Sequence, residues 1–322
     1  MRRRASRFAS LGQPSALPLV ALPLAALLLA ALSLTVATDA LAQACCAGST
    51  AITPGRLGLH EDALVGLQLR ASSLMGSYDH LGHYHGSEPG SSEFGFQQDV
   101  LAALRFHRQG QVAVLVPFVQ TQRSVTGHSE FGGGLGDVNL SLRYDIIQAR
   151  RLGAWPGVAL LVGLTLPTGV PVESADNVLA TDATGTGAVQ TNGGVALEQM
   201  FGAWTVSAAG IVAKRWPRDA DGVEQELGTE WTFVAAGAYT FASEVALAAT
   251  ASYAIEGDAS IDGADQPDSS RRLMTATASA VLPLSDHARL QATAFVTPPI
   301  SSLGANQTAL TGLSFVFIYA WL

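Results

Sequence analysis

The chain is poor in charge. Asp, Glu, Lys and Arg make up 14% of its 322 residues, whereas 48% are hydrophobic and 33 are Gly. A soluble domain usually carries nearer a quarter charged residues, so material for a water-facing surface is short. Basic residues are scarcer than acidic ones, for a formal charge of −8. That excludes the basic footprint of a nucleic-acid binder, and no nucleic-acid partner is expected. Cysteine is almost missing, and the two present, Cys45 and Cys46, are adjacent. A bridge between neighbours is strained, so they read as incidental thiols in an N-terminal segment, with an external partner or a metal as the alternative. After residue 42 no apolar run is long enough for a membrane helix. G-x-S-x-G, a P-loop and C-x-x-C are all absent. With no nucleophile paired to a base, the expectation is no enzyme, no catalytic residue and no cofactor.

What is present begins at the N-terminus. Met1-Arg2-Arg3-Arg4 and Arg7 precede an apolar run from Ala16 to Ala37, then Ala40-Leu41-Ala42-Gln43. A basic start, an apolar stretch and an A-x-A box predict a signal peptide over residues 1–42. Pro18 and Pro23 within the run favour removal over a retained anchor. Removal takes away four Arg and one Asp, which moves the formal charge from −8 to −11. A lipoprotein site at Cys45 is disfavoured, because Ala42-Gln43-Ala44 is a poor lipobox. Residues 43–62 are then expected as a periplasmic N-terminal segment, and 63–322 as an all-β transmembrane barrel.

Three patterns support a barrel. First, strand-like runs recur at 63–76, 93–108, 111–125, 135–148, 157–167, 187–200, 203–215, 229–241, 244–256, 271–283, 288–298 and 310–322. Twelve antiparallel strands running up and down place both ends of the barrel on one side. Second, the connections alternate. Gln109-Gly110, Phe201-Gly202, Ala242-Ser243 and Ser285-Asp286-His287 are short, as is, less strictly, 152–156. The spans 77–92, 126–134, 168–186, 216–228, 257–270 and 299–309 are long and polar. Short periplasmic turns and long outer loops are the outer-membrane arrangement.

Third, faces alternate with period two. In 135–146, Asp137, Asn139, Ser141, Arg143 and Asp145 oppose Val138, Leu140, Leu142, Tyr144 and Ile146. Near the C-terminus, Leu313, Phe315, Phe317, Tyr319 and Trp321 share one face. In water that row is a sticky surface; in a bilayer it is a lipid-facing strand with an aromatic belt. Period two alone does not say which face is inside. The aromatic row, the export signal and the scarcity of charge place lipid outside. The strands within 229–256 and 271–283 offer mostly Ala, Thr and Ser to the inner face, among them Thr250, Ser252, Thr275 and Ser279, and the last strand offers Val316, Ile318 and Ala320.

Two segments resemble a known family. Gly134-Leu135-Gly136-Asp137-Val138, running on to Leu142-Arg143-Tyr144, and Gly163-Leu164-Thr165-Leu166-Pro167-Thr168-Gly169 are similar, in order and spacing, to motifs of the outer-membrane family named for the MetA pathway of phenol degradation. The resemblance implies a barrel related to transporters of hydrophobic substrates, and it implies no catalytic set. Physically, Pro167 lacks the ladder N–H and Gly169 allows a turn, so that motif also reads as a strand end. Asp137 reads as an acceptor for a neighbouring strand's Arg or main chain.

Arg70, Asp99, Arg105, Asp137, Asn139, Arg143, Asp145 and Glu198 are the expected lumen-lining residues, with Asp99, Asp137 and Arg143 in one ion-pair network. His80, His83 and His85 form an H-x-x-H-x-H run in the first long loop, with metal-ligand spacing. A solvated loop is the plainer reading. The expected function is a passive outer-membrane channel for small solutes, apolar or aromatic ones among them. The alternatives are a structural or surface-binding barrel with a plugged lumen, or a metal-linked barrel using the loop histidines. Expected partners are outer-membrane lipid, the small-molecule solute and the barrel assembly machinery.

Overall fold

The computed structural model describes residues 56–149, 155–220 and 222–322. The span 1–42 expected as a signal peptide, together with Cys45 and Cys46, lies outside the described residues. Twelve strands form the wall: β1 (Ala63–Tyr78), β2 (Ser92–His107), β3 (Gly110–Val125), β4 (Val138–Ile147), β5 (Gly157–Leu166), β6 (Gln190–Phe201), β7 (Trp204–Arg215), β8 (Glu230–Thr240), β9 (Ala246–Glu256), β10 (Arg271–Pro283), β11 (Ala288–Val296) and β12 (Gln307–Trp321). Each pairs antiparallel with its sequence neighbour, and β12 pairs with β1 to close the ring. The closing register sets Leu67 opposite Phe317 and Ala63 opposite Trp321. Closure leaves no unpaired edge, which a strand in hydrocarbon requires.

The wall is inverted relative to a soluble barrel. Along β1, Leu64 is 2% exposed while Leu67 is 45% exposed. Phe233, Leu104, Val162, Leu197 and Phe317 are likewise exposed on the outer face. At roughly 25 cal/mol per Å² of apolar surface, such a belt costs on the order of tens of kcal/mol in water, more than the net stability of a domain. Hydrocarbon removes that cost. Aromatic rings cluster where the belt ends on the short-turn side: Trp204 lies 5.0 Å from Tyr239, and Tyr319 lies 5.0 Å from Trp321. On the long-loop side, Phe94, Phe131 and Trp231 are exposed. Amphipathic rings at both interfaces are the girdles of a transmembrane barrel.

The long-loop side carries two additions. The span 126–134, expected as a loop, is instead the return arm of a hairpin. His128–Leu135 pairs with Phe118–Val125 and carries the wall beyond β4. The short motif Gly-Gly-Gly-Leu hid this strand, because glycines weaken the period-two signal. A second, four-stranded sheet is built from Arg218–Ala220, Val223–Glu226, Ser260–Ile261 and Ala264–Asp265, which ties the loops after β7 and β9 together.

Candidate functional site: the lumen and its two mouths

The inner mouth, on the short-turn side, is occupied by the chain itself. Residues 56–62 cross it before entering β1. Leu57 is buried in a cluster with Leu64, Leu101, Ala113, Val316 and Ile318, all from strands of the wall. Its main-chain N–H donates to Gln111 Oε1 at 3.1 Å. Arg56 pairs with Glu198 at 2.6 Å, and Arg143 reaches the same carboxylate at 3.8 Å and Asp145 at 2.9 Å. On the other side Glu61 pairs with Arg289, and its Oε2 accepts the Gly58 N–H at 2.7 Å. Arg105 Nε donates to the Glu61 carbonyl at 2.8 Å. Two buried ion pairs and an apolar side chain therefore hold this segment. Glu61, Glu198 and Arg143 are each at most 5% exposed, so each depends on its partner, because an unpaired buried charge is strongly destabilising.

This departs from the sequence expectation in two ways. The end of the segment expected in the periplasm sits inside the mouth. The expected network of Asp99, Asp137 and Arg143 is not brought together; Arg143 joins Asp145, Glu198 and Arg56 instead. The residues that sequence reasoning missed are Arg56, Leu57, Glu61, Gln111 and Arg289. Arg289 and its neighbours did carry the period-two signal, but Arg56–Glu61 lie before the first periodic run.

The remaining expected residues fall at other heights. Asp99 is 1% exposed and accepts a hydrogen bond from Gln97 Nε2 at 2.7 Å. Asn139 donates to Thr165 Oγ1 at 3.0 Å. Arg70 lines a lumen cavity of about 530 Å³, which lies between the plug and the outer loops. Its walls are hydroxyl- and amide-rich, with Gln68, Ser252, Thr277 and Thr293, and its inner end is apolar, with Leu101 and Ile318. Hydroxyls in this wall bond one another: Ser279 Oγ lies 2.9 Å from Thr293 Oγ1, and Gln68 donates to Ser314 at 2.9 Å. Nearer the outer mouth, Arg215 binds Glu230 at 2.9 Å and Glu256 at 2.8 Å, a cluster that the sequence did not single out.

Asp137 belongs to the outer mouth. Its Oδ1 accepts the Gly169 N–H at 3.0 Å, and its Oδ2 accepts the Thr186 N–H at 2.7 Å. Thr168 Oγ1 donates to the Gly136 carbonyl at 2.6 Å and accepts the Val138 N–H at 3.0 Å. The two motifs that resemble a family are thus one interlock, in which Gly136-Asp137 grips both ends of the loop after β5. A Cβ on Gly185 would lie 2.3 Å from Asp137 Oδ1, and one on Gly132 would lie 2.7 Å from the Thr181 carbonyl carbon. The loop therefore packs on the hairpin only because these positions lack side chains. Glu130 strengthens the same contact. Its carboxyl is held below the usual range by His128 and by the Leu179 N–H.

The loop histidines do not gather as a trio. His83 and His85 converge on Asp79 Oδ2, at 3.2 and 3.1 Å, while His80 is exposed. The His85 bond, with the His83 N–H, holds the Asp79 carboxyl well below the ordinary range. No group of three or more metal-ligating side chains is found among the described residues. Period and spacing could not reveal this, because a loop's side-chain directions follow from its turns.

A closed, twelve-stranded, antiparallel wall with an apolar exterior and a polar interior defines a transmembrane β-barrel. Comparison with solved structures gives the same fold. The chain is similar to an outer membrane channel from Pseudomonas putida F1, with 16% identity, 84% of this chain and 98% of that chain covered, and a TM-score of 0.67. Looser likenesses, each at 10% identity and a TM-score of 0.45, are the translocator domain of the autotransporter NalP from Neisseria meningitidis, over 85% of this chain and 92% of that one, and a mutant of the monoaromatic hydrocarbon channel TodX, over 84% and 93%. No family model and no curated protein matches the chain.

Proposed function

We propose that the protein is a passive, non-catalytic channel of the outer membrane, for small solutes with apolar parts, whose inner mouth is closed at rest by residues 56–62. The observation that carries this reading is the cavity of about 530 Å³ in the lumen. Its hydroxyls and amides wet a polar solute, and its apolar inner end accepts a hydrocarbon part. A wall of this kind binds weakly at many points, as conduction needs. Short turns on the side of the plugged mouth support a periplasmic position for it. Likeness of fold to a barrel described as an outer membrane channel is in keeping with this reading.

The plug also favours a second reading, a barrel closed for good that serves as a structural or surface element. Conductance in a planar bilayer separates the two. On the channel reading the intact protein gives rare or small steps, and Arg56→Ala combined with Leu57→Ser gives frequent, larger ones. Uptake of small aromatic solutes into liposomes rises with them. If the double variant folds and stays silent in both assays, the barrel is not a channel.

A further inference from the structure

Resting on that reading, we propose that the lumen cavity is a selective site for a monoanionic amphiphile, an arylalkanoate-type carboxylate, with Arg70 as the residue that takes the carboxylate. Of the side chains lining the cavity, Arg70 alone is charged. It takes part in none of the ion pairs between side chains of the described residues. Its counter-charge stands back from the cavity: Asp99 is 1% exposed, is bonded to Gln97, and is not part of the lining. The guanidinium is thus balanced in part, without being capped. It keeps donors for a planar, two-oxygen acceptor, the geometry that Arg matches best.

The apolar half of the ligand is set by the floor. In the wall register Arg70 stands opposite Gln97 and Ser314, Gln68 opposite Val316, and Gly66 opposite Leu101 and Ile318. The floor residues therefore lie two and four positions from Arg70 towards the plug. At about 3.3 Å per residue that is roughly 7–13 Å. A carboxylate at Arg70 with an aryl group at the end of a short alkyl chain spans that interval. Its ring rests on Leu101, Val316 and Ile318, which pack against Leu57 of the plug. Level with Arg70, Ser314 and Gln97 offer further donors to the carboxylate. Partial compensation by Asp99 keeps the site weak enough to release its ligand.

The test is binding to the intact, folded barrel in uncharged detergent at neutral pH. The probes are 3-phenylpropanoate and its neutral counterpart 3-phenylpropan-1-ol, and calorimetry or ligand-observed NMR gives the readout. The carboxylate is expected to bind at least tenfold more tightly than the alcohol. Arg70→Gln is expected to remove that preference and leave alcohol binding unchanged, while Arg70→Lys retains part of it. Heat-modified gel mobility checks that both variants are folded. Equal binding of the two probes by the intact protein, or an undiminished preference in Arg70→Gln, overturns the assignment. Should Arg70→Gln not fold, a preference unaltered in Arg70→Lys overturns it. Carboxylate preference without liposome uptake upholds the site and sinks the channel; uptake of both probes at equal rates with equal binding does the reverse.

Discussion

The two ends of this barrel are organised by different means. At the inner mouth seven residues of chain are held by buried charges, Arg56 on Glu198 and Arg289 on Glu61. At the outer mouth long loops are held by main-chain hydrogen bonds to carboxylates, Asp137 on Gly169 and Thr186 and Glu130 on Leu179. The first device is a few strong contacts, each costly to break and each undone by removing one partner. The second is many modest ones, spread over a loop that folds onto the hairpin through its glycines. On the proposed channel reading the plug leaves, and a small number of contacts suits that. A loop that keeps its shape suits the second.

The largest effect is expected at Glu198. Glu198→Ala leaves Arg56 and Arg143 buried together without their shared carboxylate, at a cost of about 3–5 kcal/mol. Urea unfolding of the barrel in detergent measures this loss, and bilayer recordings should show more frequent opening. Glu198→Gln, which retains hydrogen bonding, should lose less. An unfolding midpoint that is unchanged in both would remove the inner latch.

Asp137→Ala is expected to act on the outer mouth alone. It strips three acceptor bonds from the ends of one loop, for about 1–3 kcal/mol at most. Limited proteolysis should then cut within 168–186, while the resting conductance stays as in the intact protein. Opening of the channel by this change would mean that the two mouths are coupled. Gly185→Ala should give the same cleavage, since its Cβ would meet the carboxylate of Asp137.

The smallest effect belongs to Asp79. Its carboxyl lies below the ordinary range because His85 and the His83 N–H bond the ionised form. A depressed carboxylate stabilises its loop above the ordinary pKa of about 4 and loses that contribution as pH falls through the folded value. His85→Ala should raise the Asp79 pKa towards the ordinary value in a carboxyl-carbon NMR titration. The unfolding midpoint at neutral pH should not move. A pKa that stays depressed would show that the His83 main chain alone sets it.

Much of the wall was legible from residue order. Alternation in 135–146 and in the row at 313–321 set Val138 with Leu140 and Phe315 with Phe317 on one face, because period two is a local property of an extended chain; the aromatic row and the scarcity of charge then turned that face outward. The inner hydroxyl wall of Thr250, Ser252, Thr275 and Ser279 was readable for the same reason. The hairpin arm at 128–135 was not, since glycines erase the alternation. Neither was the pairing of side chains across the lumen: Arg143 and Glu198 share the inner face, but nothing local says that Arg56 reaches them.

What the sequence determined by itself is the alternating wall with most of its strands, which follows from near-neighbour periodicity, and the side that meets lipid, which follows from composition and the aromatic row. Only the tertiary structure decided that residues 56–62 turn back into the mouth, that Asp137 grips a loop and stays out of the lumen network, and that Arg70 is the one charged side chain lining the cavity above its apolar floor. Those outcomes depend on which residues closure brings face to face across the barrel, and the ring's register sets that distance, which no stretch of sequence contains.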